Sequence, residues 1–243
     1  ELKSILIGTH VTAMPEATLK ENAVDYIVLG EPDYAIRDLI LLLEKKEDIT
    51  KIKGIGFRKE NKTIITGIAD PIKNLDELPF PARHLIPQAD YFNPLAKRLP
   101  YTTMMSSRGC PFKCIYCSSV ILYGHNFRPR STENVVDEIE EVITKYGIKE
   151  VFFRDETFTF DKERTIAICK EILRRKLDIT WMTNTRVDCV NEEMLIWMKK
   201  AGCHMLKFGV ESGSQEILNN IKKGTTIEGI RKTFKIAKKV GIS

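Results

Sequence analysis

The sequence predicts an α/β protein in two parts, an open α/β sheet followed by part of a parallel β/α barrel. Short apolar strands alternate with amphipathic helices along the chain, the pattern of layered α/β folds. Most of the ten prolines fall within residues 70–100, which marks that stretch as an extended linker. From Tyr101 onward four strand–helix units follow one another, as in a β/α barrel.

Each element has a local reason. Residues 4–8 read as a short buried strand that ends in a glycine turn. Pro15 opens a short helix, and Val24 to Leu29 forms a second strand closed by Gly30-Glu31-Pro32. Asp33 is expected to cap a helix to about Lys46, with Ile36, Leu39, Ile40 and Leu43 on one face. Residues 50–68 read as a small hairpin with Asn61-Lys62 near its turn. In the second part, strands are expected at 101–106, 149–154, 178–183 and 203–210. Helices are expected at 131–146, 161–175, 191–200, 215–222 and 226–240, with Ser131 as a cap and Gly147, Gly202 and Gly241 as stops.

Bulk properties narrow the class. At 43% hydrophobic and 29% charged the composition is that of a globular protein, and the longest apolar run, Leu39 to Leu43, is far too short to span a membrane. No signal peptide is evident, and six cysteines without a regular framework point to a reducing cytoplasm. A net charge of +5 with scattered Lys and Arg gives no nucleic-acid footprint. Both ends read as cut from a longer chain.

The chemistry concentrates in Ser107-Arg108-Gly109-Cys110-Pro111-Phe112-Lys113-Cys114-Ile115-Tyr116-Cys117. Cysteines at i, i+4 and i+7 also suit a buried helical stripe, but Gly109 and Pro111 oppose a helix there. Three close thiolates can hold one soft metal centre, whereas a structural zinc site normally takes four ligands and no fourth follows at finger spacing. Three ligands suit a cluster that leaves one metal atom open. Cys169, Cys189 and Cys203 are scattered and read as core packing; His10 reads as a turn residue and His84, His125 and His204 as structural.

The strand ends reinforce this. Active sites of β/α barrels lie at the C-terminal ends of the strands. Here those ends carry the cysteine loop, Arg154-Asp155-Glu156-Thr157-Phe158, Thr183-Asn184-Thr185-Arg186 and Val210-Glu211-Ser212-Gly213-Ser214. Any one of these segments suits a helix cap, Ser214 above all. Four at one rim are harder to explain that way.

The CxxxCxxC loop resembles the cluster loop of radical S-adenosylmethionine (SAM) enzymes. Gly8-Thr9-His10-Val11-Thr12, the Val24–Pro32 strand and turn, Leu78-Pro79-Phe80-Pro81-Ala82-Arg83, Arg128-Pro129-Arg130-Ser131, Asp155-Glu156-Thr157-Phe158 and Gly209-Val210-Glu211-Ser212-Gly213 follow in an order similar to the cobalamin-dependent branch. That branch includes methylases and an anaerobic ring-forming cyclase.

The resemblance implies a division of the chain. Residues 1–46 would be the C-terminal part of a Rossmann-like cobalamin-binding domain, 47–98 a linker with a small hairpin, and 99–243 the first four β/α units of the radical SAM barrel. It implies three cofactors: a 4Fe-4S cluster on Cys110, Cys114 and Cys117; SAM met by Phe112, Tyr116, Asp155, Glu156, Asn184, Arg186, Glu211 and Ser212; and cobalamin met by Gly8, Thr9, Gly30 and Glu31. The family's usual Gly-Gly-Glu is Arg154-Asp155-Glu156 here, so either carboxylate could take the SAM amine.

The implied chemistry is reductive cleavage of SAM to start radical attack on an unactivated carbon, with methyl transfer from cobalamin or cyclisation. A small-molecule or lipid-like substrate and an electron donor such as flavodoxin or ferredoxin are the expected partners. A methylthiotransferase would bring three more cluster cysteines in its N-terminal domain, and no cysteine precedes Cys110. A non-enzymatic zinc or iron-sulfur module would need no polar strand-end rim.

Overall fold

The computed structural model describes residues 2–60 and 62–243. The chain forms two compact units. The first runs to Lys73 and includes Gly109–Pro111 and Tyr116–Asn126; the second holds Asn74–Arg108, Phe112–Ile115 and Phe127–Ser243.

In the first unit, β1 (Ile5–Ile7) lies parallel to β2 (Tyr26–Val28). Helices α1 (Thr9–Ala13) and α2 (Pro15–Leu19) connect them, and α3 (Asp33–Lys45) follows β2. The first of these replaces an expected turn. Gly8, at φ 108°, breaks the strand, and its carbonyl accepts from both the amide and the hydroxyl of Thr12 at 3.1 and 2.8 Å, which starts a helical turn at once. Pro32, not Asp33, stands at the N-cap of α3; Asp33 is in the first turn, where its carboxylate suits the helix dipole.

The expected hairpin forms as β3 (Ile55–Lys59) and β4 (Lys62–Ile65), while Asn61 lies outside the described residues. It does not stand alone in a linker. β3 pairs antiparallel with β2, so the sheet reads β1-β2-β3-β4 and reaches well past residue 46. Arg58 secures this join by donating to the carbonyls of Leu19, Glu21, Asn22 and Val24, the chain that leaves α2.

In the second unit, β5 (Tyr101–Met104), β8 (Glu150–Phe153), β9 (Thr180–Thr185) and β10 (Cys203–Phe208) form one parallel sheet in sequence order. Between β5 and β8 lies a two-residue ladder, β6 (Ser107–Arg108) with β7 (Arg128–Pro129); α4 (Ser119–Tyr123), between them in sequence, belongs to the first unit. Helices α5 (Thr132–Tyr146), α6 (Lys162–Arg174), α7 (Glu192–Lys200), α8 (Gln215–Asn220) and α9 (Ile227–Val240) complete the second unit. Their starts were legible because Ser131, Asp161, Asn191, Ser214 and Thr226 each accept from an amide three residues on. Val151, Phe153, Trp181 and Cys203 on the strands meet Val136, Ile139, Ile168, Ile172, Leu195 and Met198 on the helices in a single core. Cys169 is pushed up to about 12 by burial and Cys203 well above its ordinary value, so both are packing residues, not thiolates. Ser243 donates to the His204 carbonyl and accepts from the Leu206 amide.

At the N-terminal ends of the strands, Glu150 is fully buried. It accepts from the Lys97 and Arg98 amides at 2.9 Å, from Thr180 Oγ1 at 2.8 Å, and pairs with His204 Nε2 at 2.8 Å. At the opposite ends, Glu138 of α5 is buried between Arg83 at 2.6 Å and Arg130. Removing one partner of a buried ion pair leaves charge uncompensated. Glu138→Ala is therefore expected to cost about 3–5 kcal/mol in urea unfolding. A loss below about 1 kcal/mol would mean that water solvates both guanidiniums in the variant.

Candidate cluster loop and strand-end site

The cysteine loop is neither helix nor strand from Gly109 to Ser118. Gly109 is required at its start: φ is 85° and a Cβ there would lie 2.1 Å from the Asn126 carbonyl oxygen. The β6–β7 ladder brackets the loop, and the Cys110 amide donates to the Gly124 carbonyl at 3.2 Å. Cys110, Cys114 and Cys117 form no disulfide and are partly exposed. Cys117 Sγ lies 3.0 Å from Ser119 Oγ, and the Cys110 carbonyl is 3.2 Å from His125 Nδ1. Among the described residues no three His, Cys, Asp or Glu side chains converge on a single metal ion. A cluster does not need such convergence, because its thiolates bind separate irons. Three cysteines on one loop match its donor set.

The residues at the strand ends divide into those spent on the protein and those left for a ligand. Asp155 is spent. It is fully buried, and its carboxylate accepts from the Ser106 amide at 2.8 Å, Ser106 Oγ at 2.6 Å and Ser107 Oγ at 2.5 Å. Burial raises its pKa and these donors oppose the rise. Arg164 Nη2 donates to the Ser106 carbonyl at 2.6 Å, closing the same knot. Asp155 thus holds the chain that enters the cysteine loop.

Glu156, the next residue, is different. Its Oε2 is buried and has no hydrogen-bond partner. Desolvation pushes its pKa up to about 7, helped by the Asp155 carboxylate, against the pull of a hydrogen bond from its own backbone amide and of Arg108 and Arg128.

Asn184 donates weakly to the Asp155 carbonyl at 3.4 Å. Ser212 Oγ closes a turn by accepting from the Ser214 amide at 3.1 Å. Glu211, at φ 66°, is half-exposed and pairs with the buried Lys223 at 2.9 Å. Gly209 makes room for that pair, since a Cβ there would lie 2.7 Å from Glu211 Oε1. Phe112 meets Phe160 edge-on and carries the Arg186 guanidinium 3.6 Å over its ring. Tyr116 is exposed. On the sheet face away from the helices, Arg154 and Lys207 sit over the Phe152 ring at 4.9 and 4.5 Å, a pair of cations the sequence reading did not single out. Their spacing in sequence hides what the β8–β9–β10 register brings together.

In the first unit, Thr12 Oγ1 accepts from the Gly30 amide at 3.0 Å and donates to the Gly8 carbonyl, so one hydroxyl ties the ends of β1 and β2. Thr9 begins α1, and Glu31 is buried. His10 is exposed on α1.

Residues 104–243 match the radical SAM superfamily, and the chain belongs to it. Over 239 residues it is 38% identical to an uncharacterised methyltransferase of Pyrococcus horikoshii, covering 98% of this chain and 51% of that protein. It is 30% identical to an anaerobic magnesium-protoporphyrin IX monomethyl ester cyclase of Rubrivivax gelatinosus, covering all of this chain and 44% of the cyclase. The chain thus spans about half the length of the curated relatives it matches. Its fold is similar to that of the cobalamin-dependent SAM radical enzyme OxsB, with a TM-score of 0.81 at 22% identity over 98% of this chain and 35% of OxsB. Radical SAM enzymes use a 4Fe-4S cluster and SAM. No helix of the described residues is long and apolar enough to cross a membrane.

The Asp155 knot predicts a stability effect. Asp155→Ala would leave three buried donors unpaired, at about 1–3 kcal/mol each if they were independent. Coupling makes the expected total about 3 kcal/mol by urea unfolding. Asp155→Asn, which keeps an acceptor, should cost clearly less; equal losses would show that Asp155 only fills space.

Proposed function

We propose that this protein is a radical SAM enzyme of the cobalamin-dependent type, acting in methyl transfer or cyclisation at an unactivated carbon. The observation that carries this reading is a loop of three partly exposed cysteines after β5, held where the chain enters it by Asp155 from the end of the neighbouring strand β8. Cys110, Cys114 and Cys117 would hold the cluster. Glu156 would take the SAM amine, since its buried Oε2 is unpaired and Asp155 is fully engaged. Asn184, Ser212, Glu211, Phe112 and Tyr116 would complete the SAM surroundings.

Gly8, Thr9 and Gly30 would meet cobalamin. The positive φ of both glycines and the open space beside Gly8 suit close approach of backbone to a flat cofactor. Residues 1–46 would then supply this part of the cofactor domain, with 99–243 supplying the first barrel units. Bound there, the cluster supplies the electron that splits SAM reductively, and cobalamin supplies a methyl group. The electron would come from a small reductase such as flavodoxin or ferredoxin. The unpaired Arg154 and Lys207 favour a small substrate with an anionic group. Free thiols of this kind suit the reducing cytoplasm.

Anaerobic reconstitution tests the first claim. Wild type should bind iron and sulfide as one 4Fe-4S cluster, with an EPR signal that changes on adding SAM. Replacing Cys110, Cys114 and Cys117 together with Ala should abolish iron binding, and replacing Cys169 and Cys203 should not. Stoichiometric zinc without iron in wild type would overturn the assignment.

Glu156 gives a pH signature. Its folded pKa lies above the ordinary value, so the protonated form is favoured in the native state and ionisation becomes complete only above about 7. In the ligand-free protein, this group's contribution to stability is fully present below pH 4.5 and is lost as pH rises towards about 7. SAM binding should run the other way, because the ammonium requires the carboxylate. Affinity should rise from pH 6 to 7.5 and fall again above about 8 as the amine deprotonates. Titration of Glu156→Gln should show roughly ten- to hundredfold weaker binding and no rising limb. A rising limb that survives in the variant would remove Glu156 from the site.

A further inference from the structure

Arg186 was expected among the SAM contacts, yet its guanidinium is already fully committed. It is 4% exposed. Nε and Nη2 form a fork on the Asp188 carboxylate at 2.9 and 2.8 Å, Nη2 also donates to the Lys223 carbonyl at 2.6 Å, and the plane lies on Phe112. The two N–H groups of Nη1 remain, and one of them points at a cluster cysteine: Nη1 donates to Cys114 Sγ at 3.4 Å. The two clamps on either side leave the cation little freedom to swing towards another ligand. Phe112, two residues before Cys114, is the floor of the same arrangement.

We propose that Arg186 is a positioning residue for the cluster, which orients Cys114 and raises the cluster's reduction potential through a charge-assisted N–H···S bond. The inference rests on the reading of Cys110, Cys114 and Cys117 as cluster ligands. The couple is a one-electron exchange: the oxidised cluster takes one electron from an external reductant and becomes more negative by one charge, with no bond made and no proton moved. A cation donating to a ligand sulfur stabilises the more negative state, so its presence shifts the potential upward. Asp188 shares the cation's charge but holds it on the far donors, leaving Nη1 directed at the sulfur.

The test is a potentiometric titration of the reconstituted protein with dithionite, followed by EPR, without SAM. Arg186→Gln should retain the cluster and show a lower midpoint potential than wild type. Asp188→Asn and Phe112→Leu, which loosen the guanidinium without removing it, should give potentials that differ from wild type in the same variant-by-variant EPR titration. They decide the matter if Arg186→Gln fails to fold. An unchanged SAM-free potential in Arg186→Gln, or in both of the other variants where that one is lost, overturns the proposal. Weakened SAM binding with an unchanged potential would return Arg186 to the SAM contacts. Failure of wild type to take up iron would instead overturn the cluster assignment itself.

Discussion

The second unit depends on how the chain is held where it leaves β5 and enters the cysteine loop. Backbone that turns out of a sheet carries amides and carbonyls that must find partners when buried. Asp155 supplies the acceptors for Ser106 and Ser107, and Arg164 supplies the donor for the Ser106 carbonyl. Arg130, just after the ladder that ends the loop, donates to the Met105 carbonyl and to Glu138, which also binds Arg83. A buried carboxylate or guanidinium alone would be costly; connected in this way, each satisfies the others. The loop therefore leaves from and returns to fixed points.

That arrangement explains why neighbouring acids have opposite characters. Asp155 and Glu156 are adjacent, and both strand-end readings assigned them to one ligand. Past the end of β8, Asp155 turns in to the Ser106–Ser107 knot, and Glu156 shares none of those donors. Glu156 keeps an unpaired oxygen, and burial holds its pKa at about 7 despite the pull of Arg108 and Arg128. The unmet electrostatic need of Glu156, set against the fully met need of Asp155, separates a ligand contact from a structural one.

Much of this was legible in the sequence, for local reasons. The four parallel strands are short apolar runs, and their helices begin with Ser, Asp, Asn or Thr, two of them ending at Gly147 and Gly241. What local pattern could not show was pairing at a distance. The hairpin at 55–65 carries no mark that it joins β2, because the joining contacts, Arg58 to four carbonyls, are made across more than thirty residues. The two-residue β6–β7 ladder is too short to show a period. Residues 9–13 read as turn because Gly8 and Thr9 favour one, and the Thr12 hydroxyl that caps the turn into a helix is a side-chain choice. Arg186 and Asp188 were visible as polar residues after a strand, but not the Lys223 carbonyl or Phe112 ring that pin the guanidinium.

Five of the six cysteines show how environment divides one residue type into two chemistries; Cys189, expected in the core with Cys169 and Cys203, is only partly buried. A thiol ligates metal only as thiolate. Cys169 and Cys203 lie in the apolar core between strands and helices, where no charge is tolerated, and burial holds their protons on. Cys110, Cys114 and Cys117 lie on a partly exposed loop, and Cys114 faces a guanidinium. The same distinction governs the charges around them. Arg186 is buried yet stays paired, with Asp188 balancing its charge and Nη1 left to face Cys114. Because the balance is struck on the side away from the loop, Nη1 can serve a sulfur without leaving an uncompensated cation when the loop is empty. The loop is thus pre-organised at the cost of one acid–base pair, and the residues that hold it need not rearrange when a ligand arrives.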